Sequence, residues 1–239
     1  MSNDPLALAE DVRRSTERLL HTAAGLDDET VAGPSLLPGW TRGHVLTHLA
    51  RNADGATNLL TWARTGVETP QYASLAQRAA DIEAGAPRDA AAQCDDLTGS
   101  AERLAAAIDA MPAAAWAVVI RWTDGRESPA AQVMWRRLRE LEIHHVDLAA
   151  GYTAADCPEA FTLRLAASLA KDFGRRPDGP RLVLRAPELG HDLPIGEGTC
   201  EPVVGGPLWA ATAWLVCRSA GGGLTVEPPG PLPAVPPLG

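Results

Sequence analysis

The sequence predicts a two-domain α+β protein, an N-terminal four-helix bundle carrying a metal site followed by a small C-terminal α/β domain. Three observations lead there. Long segments with apolar residues at helical spacing and recognisable caps fill roughly the first 150 residues. Short β-like runs replace them afterwards. Histidine and glutamate pairs recur four positions apart on two of the predicted helices.

Asp4-Pro5 reads as a cap with proline at the first helical position, and Leu6, Ala9, Val12, Arg13, Thr16, Leu19 and Leu20 continue with helical period to Gly25. After the loop "AGPSLLPGW", Thr41 caps a second helix, "RGHVLTHLARNADGATNLLTWART", which stops at Gly66. A third runs from about Asp89 to Met111, with Leu97, Ala101, Leu104, Ala105 and Ile108 on one side. The fourth opens at Ser128-Pro129 and closes at Gly151. Four helices, three of them 20 residues or longer, imply a bundle.

Beyond Gly151 the sequence predicts an amphipathic helix over about 158–174, strands in "RLVLRA" and "GTCEPVV", a helix led by Pro207 and reaching Arg218, and an extended tail, "EPPGPLPAVPPLG". The domains are expected at residues 1–153 and 154–239, joined around "GYTAADCP". No internal repeat is evident.

Bulk properties exclude several classes of function. The chain of 239 residues is 46% hydrophobic and 21% charged, as an ordinary globular protein is. Its net charge is −9, and its longest basic cluster, Arg136, Arg137 and Arg139, sits inside a helix, so nucleic acid is not expected as a partner. No uninterrupted apolar stretch is long enough to span a membrane, and "MSNDPLALAEDVRRS" lacks the basic end and apolar run of a signal peptide. The expectation is a cytoplasmic protein, monomeric or weakly homo-oligomeric. Cys94, Cys157, Cys200 and Cys217 have no C-x-x-C spacing, so neither a thiolate zinc site nor a redox dithiol is expected, and they read as small buried hydrophobes.

In "RELEIHHVDLAAG", Glu140 and His144 are four apart and share a helix face, while Glu142 and His145 are turned away by roughly 100° or more. His44 and His48 are likewise four apart on the second helix. Facing helices of a bundle converge their ligands on its core, so a histidine of the second helix with Glu140 and His144 makes a His2Glu set, suited to a catalytic zinc with one position left open. His48 is preferred because Leu46, Leu49 and Ala50 flank it in mid-helix. His44 falls in the first turn, near solvent, where the dipole disfavours an imidazolium. There is no H-E-x-x-H motif, and no cysteine in the cluster, so a thiol activated by this metal has to arrive as a cosubstrate. Trp40 reads as a hydrophobic staple at the start of the second helix, and "VVGGPLW" as a plain turn.

The segments "LPGWTRGHVLTHLARNADG", "QRAADIEAGAPR" and "RELEIHHVDLAAGY" resemble the mycothiol-dependent maleylpyruvate isomerase family over nearly the whole chain. The motifs P-G-W-T-x-G-H-x-x-x-H and R-E-x-x-x-H-x-V-D-L carry the resemblance in combination. It implies a DinB-like N-terminal bundle, a C-terminal α/β module, and zinc held by His48, Glu140 and His144. It also implies a basic active-site residue near the end of the last helix, which Arg218 in "AWLVCRSAGGG" matches. Glu142 and His145 depart from the family's pattern, and pointing off the ligand face they are expected to bear on surface charge. By resemblance, zinc binds mycothiol as thiolate, which adds to the cis double bond of maleylpyruvate; rotation and elimination release fumarylpyruvate and the thiol. The substrate is a dianion, so a guanidinium is expected near the metal, Arg218 first and Arg78 second. Two rival readings are a zinc-dependent mycothiol S-transferase acting on another electrophile, and a metal-stabilised module without catalysis.

Overall fold

In the computed structural model of the protein, which describes residues 4–197 and 201–237, the first helix starts where its cap predicts. Asp4 accepts from the Leu6 amide at 2.9 Å, and α1 (Pro5–Ala24) stops at Gly25. A single turn, α2 (Asp28–Ala32), precedes α3 (Arg42–Thr65), which Thr41 caps and Gly66 ends in the left-handed region at φ 74°. The helix α5 (Ala90–Asp109) is capped by Asp89. With α6 (Gln132–Asp147), these long helices form the bundle, α3 meeting α5 and α6 while α1 packs on the other side of both. Apolar side chains alone do not set α3's depth: Val45, Leu46, Leu49, Leu59 and Leu60 are buried, and so are Thr47, His48 and Asn52.

The fourth helix does not open at Ser128-Pro129. Glu127–Pro129 is a strand, β2, paired antiparallel with β1 (Val119–Arg121), and Ser128 accepts the Trp122 indole N–H at 2.8 Å. A serine before proline needs extended backbone both at a helix cap and in a strand; the Trp122 partner selects the strand. A helix absent from the sequence reading, α4 (Leu75–Gly85), buries only Ile82, too little apolar surface to leave a pattern.

Glu142 and His145 are not surface residues. They are 1% and 2% exposed, because α6 turns one face to α3 and another to α1. From α1, Arg18 donates to Glu142 Oε1 at 2.5 Å, and Thr22 Oγ1 lies 2.8 Å from His145 Nε2. Arg18→Ala is therefore expected to lower stability by about 1.5–3 kcal/mol, the range for hydrogen bonds to charged groups. Urea denaturation showing less than about 0.5 kcal/mol, as for an ordinary surface change, would contradict this.

Chain contacts divide the protein into two compact units, Met1–Gly151 and Tyr152–Gly239. The second contains α7 (Glu159–Gly174), α8 (Leu208–Leu215) and a four-stranded sheet ordered β4 (Leu193–Ile195), β3 (Leu182–Arg185), β5 (Val203–Gly205), β6 (Thr225–Glu227). Its β3–β5 pair is parallel and the others antiparallel. "RLVLRA" supplies β3 as predicted; of "GTCEPVV" only the last two residues enter β5, and Gly198, Thr199 and Cys200 lie outside the described residues, as do Leu238 and Gly239 of the proline-rich tail. The last helix stops short of Arg218: Cys217 adopts φ 59°, and a left-handed residue cannot continue an α-helix. The described cysteines are less buried than expected: Cys94 and Cys157 are half-buried, and Cys217 is exposed in the turn that ends the helix. Among the described residues, no helix is long and apolar enough to cross a membrane.

Candidate metal centre

Two local features bring α3, α4 and α6 together at one place. Arg42, at the start of α3, donates from Nε to Leu148 O at 2.6 Å and from Nη2 to Ala149 O at 3.1 Å, satisfying carbonyls at the C-terminal end of α6. The first turns of α3 are thereby fixed beside the last turns of α6, which puts His48 opposite Glu140 and His144. Glycines let α4 approach: a Cβ on Gly43 would lie 2.2 Å from Ala86 O, and one on Gly85 would lie 2.5 Å from Thr47 Cγ2. That close approach carries Arg78, on α4, to His48.

The three residues singled out by spacing converge. His48 Nε2 is 2.8 Å from Glu140 Oε2, and His144 Nε2 is 3.4 Å from the same oxygen. One ligand atom from each of the three lies within 4.8 Å of the others, close enough to hold a metal ion; among the described residues this is the group of that kind. The two imidazole rings meet edge to face with centroids 4.5 Å apart.

The partners of the ring nitrogens decide which atoms are offered. His144 Nδ1 lies 2.8 Å from Asp147 Oδ2, a fully buried carboxylate that can only accept from it, so Nε2 is directed into the cluster. Burial alone would lower the pKa of His144, but the hydrogen bonds to Asp147 and Glu140 outweigh it and raise the value to about 9. His48 goes the other way: burial lowers it to about 4 against the pull of Glu140. Burial would raise the Glu140 carboxyl, but hydrogen bonds to His144 and His48 dominate and hold it well below the usual carboxylate range. Two nitrogens and an ionised carboxylate, with no thiolate, fit a borderline divalent ion such as zinc.

His44 stands outside the cluster. Its Nδ1 accepts from the Thr41 backbone N–H at 3.1 Å in a capping box, which occupies the ring at the helix start. Trp40, expected as a staple, lays its half-buried ring against both imidazoles, with centroids 5.9 Å from His44 and 5.7 Å from His48.

Arg78 joins the centre, its Nη2 lying 2.9 Å from His48 Nδ1 and its guanidinium carbon 5.5 Å from the centre of the Tyr72 ring. Behind the cluster Arg137 is 2% exposed and donates from Nη1 to Leu49 O at 2.9 Å and Asn52 Oδ1 at 2.8 Å; burial lowers its pKa to about 10, opposed by the charge of Glu140. Burial pushes the Tyr72 phenol up, with Arg78 pulling it down. Sequence reasoning missed Asp147, Tyr72 and Arg137 as parts of the centre. Only Asp147 leaves a signal, an acid one turn beyond His144 on the same helix. Arg218 belongs to the second unit, half-buried, where its Nη1 donates to Val216 O at 3.0 Å and its backbone N–H to Ala213 O at 2.8 Å.

A family profile described as the mycothiol maleylpyruvate isomerase N-terminal domain matches residues 12–149. The crystal structure of the mycothiol-dependent maleylpyruvate isomerase is 32% identical, with a TM-score of 0.91 and 100% of both chains covered. A histidine-to-alanine variant of that enzyme superimposes with a TM-score of 0.90 at the same identity and coverage. No curated protein matches the chain.

Proposed function

The chain belongs to the mycothiol maleylpyruvate isomerase family, and we propose that it converts maleylpyruvate to fumarylpyruvate, with mycothiol as cosubstrate and zinc held by His48, Glu140 and His144. The observation that carries this reading is the convergence of three nitrogen and oxygen ligand atoms within 4.8 Å, in a chain similar over its full length to an isomerase of that activity.

The ion would supply positive charge that keeps a thiol sulfur ionised. The reaction needs a carbon–sulfur bond to form at the cis double bond, the electron pair to move toward the adjacent carbonyl, rotation about the resulting single bond, and return of the pair with loss of sulfur. The thiol emerges unconsumed. Each residue of the chain has a separate part in this. Asp147 holds His144 with Nδ1 as donor and Nε2 inward, and Glu140 stays anionic between the two histidines. Arg78, beside His48, is a guanidinium for a substrate carboxylate, Arg218 is assigned the same chemistry by the motif match alone, and the Trp40 ring packs against His48.

Purified protein incubated with mycothiol and maleylpyruvate tests the proposal. Product absorbance should rise while the free-thiol titre stays constant. Stoichiometric thiol loss to another electrophile, with no isomer formed, would replace the isomerase with an S-transferase.

The sulfur chemistry requires no side-chain thiol. None of the described cysteines belongs to the metal-capable group, so a protein with Cys94, Cys157, Cys200 and Cys217 all changed to serine is expected to keep its turnover with added mycothiol. A variant that folds and binds zinc but does not turn over would assign a catalytic role to one of them.

A further inference from the structure

The two imidazoles of the centre are held by partners of opposite kind. His144 faces a carboxylate across Nδ1, the usual arrangement for a ligand that binds metal through Nε2. His48 faces the guanidinium of Arg78 across Nδ1 at 2.9 Å. A guanidinium has donors and no acceptor, so His48 Nδ1 must be the bare, accepting nitrogen. The single proton of the neutral ring is then on Nε2, donated to Glu140 Oε2 at 2.8 Å. Without metal the arrangement is satisfied throughout, Arg78 donating to His48 and His48 to Glu140.

That arrangement cannot persist around a metal ion. A neutral histidine that coordinates through Nε2 needs its lone pair there and carries its proton on Nδ1. One proton leaves Nε2 to solvent and one is taken up at Nδ1, with no net change on the ring. An Nδ1–H and an arginine N–H would then confront each other across 2.9 Å as two donors, in the added field of the ion.

We propose that Arg78 and the metal ion compete for His48, so that metal binding drives the guanidinium off the imidazole and frees it for an anionic group of the substrate. This rests on the metal-centre reading above and adds an order to it, in which metal precedes substrate. The Tyr72 ring, 5.5 Å from the guanidinium carbon, offers the displaced cation a face to rest on. Arg78 is accordingly a positioning residue without metal and a substrate-binding residue with it.

The proposal reverses the usual sign of a partner mutation. Removing the partner of a ligating histidine typically weakens metal binding about 10- to 100-fold. Here Arg78→Gln, whose amide oxygen can accept from Nδ1–H, is expected to bind zinc at least about tenfold more tightly than wild type in chelator competition, on the scale of such partner effects. Arg78→Ala should fall between the two, and Arg78→Lys, still a cationic donor, should stay near wild type. In ¹⁵N NMR spectra of the wild type, His48 should carry its proton on Nε2 without zinc and on Nδ1 with it. Unchanged or weaker zinc binding in Arg78→Gln and Arg78→Ala, or a His48 Nδ1 that stays bare in the zinc-loaded protein, overturns the competition while leaving the metal centre intact. A wild type that binds no zinc overturns the metal-centre reading and this proposal together.

Discussion

Wild type is expected to bind about one zinc per chain, and His48→Ala and His144→Ala are each expected to abolish that binding. Each substitution takes one of three ligand atoms that lie within 4.8 Å, and the fall in affinity should exceed the 10- to 100-fold that loss of an outer partner causes. Asp147→Asn, which changes the carboxylate facing His144 Nδ1 and leaves the three ligand atoms in place, should fall within that smaller range. His44→Ala should keep the metal, because His44 is engaged by Thr41 at the helix cap. The pH dependence has a definite sign. In the metal-free protein His144 titrates at about 9, so at neutral pH zinc has to displace a proton from it, whereas His48, lowered to about 4, and the ionised Glu140 have none to release. Zinc affinity should therefore rise about tenfold per pH unit from roughly 6.5 to 9, the slope of one released proton. The same shift acts on folding. His144 lies above its ordinary value of 6.5, so its contribution to the stability of the metal-free protein is full below that value and is lost as pH rises through about 9. Metal analysis finding no zinc in wild type grown with zinc, or an affinity that falls with pH over this window, would remove the centre.

The convergence of His48, Glu140 and His144 was legible because helix-face geometry is local. Four-residue spacing aligns Glu140 with His144 wherever α6 packs, and the cap at Thr41 engages His44 and leaves His48 for the interior. What the sequence could not disclose depends on partners distant in the chain. Glu142 and His145 point off the ligand face as expected, yet α1 covers that side of α6 and makes them interior. A helix with two buried faces has no single apolar stripe to read. Arg78 was legible as a candidate only through resemblance, since α4 is held by close approach at Gly43 and Gly85 rather than by an apolar face. Arg137 reads as one of three basic residues on a helix; its burial follows from α3 offering it the Leu49 carbonyl and Asn52.

Arg218→Ala is expected to keep its zinc and nearly all of its thermal stability, and to lose at least about two orders of magnitude in turnover, equivalent to about 2.7 kcal/mol of transition-state stabilisation. The expectation follows from the proposed function, in which the motif match assigns Arg218 to the family's basic active-site position and its guanidinium to a substrate carboxylate. A guanidinium that grips a carboxylate in two parallel hydrogen bonds, away from bulk water, is far stronger than the same pair in solvent. The competing role is visible in the fold. Arg218 Nη1 donates to Val216 O at 3.0 Å, past the end of α8, so the side chain also serves a carbonyl at the negative end of that helix. Such a contact is worth at most about 1 kcal/mol and would surface in the melting temperature, with no specific effect on turnover. Arg218→Lys separates the two further: it keeps the charge at the helix end but cannot make the bidentate grip, so it should melt like wild type and still turn over poorly. Near-normal turnover in both variants, or a loss that follows unfolding, would confine Arg218 to the helix end and leave Arg78 as the guanidinium that meets the substrate.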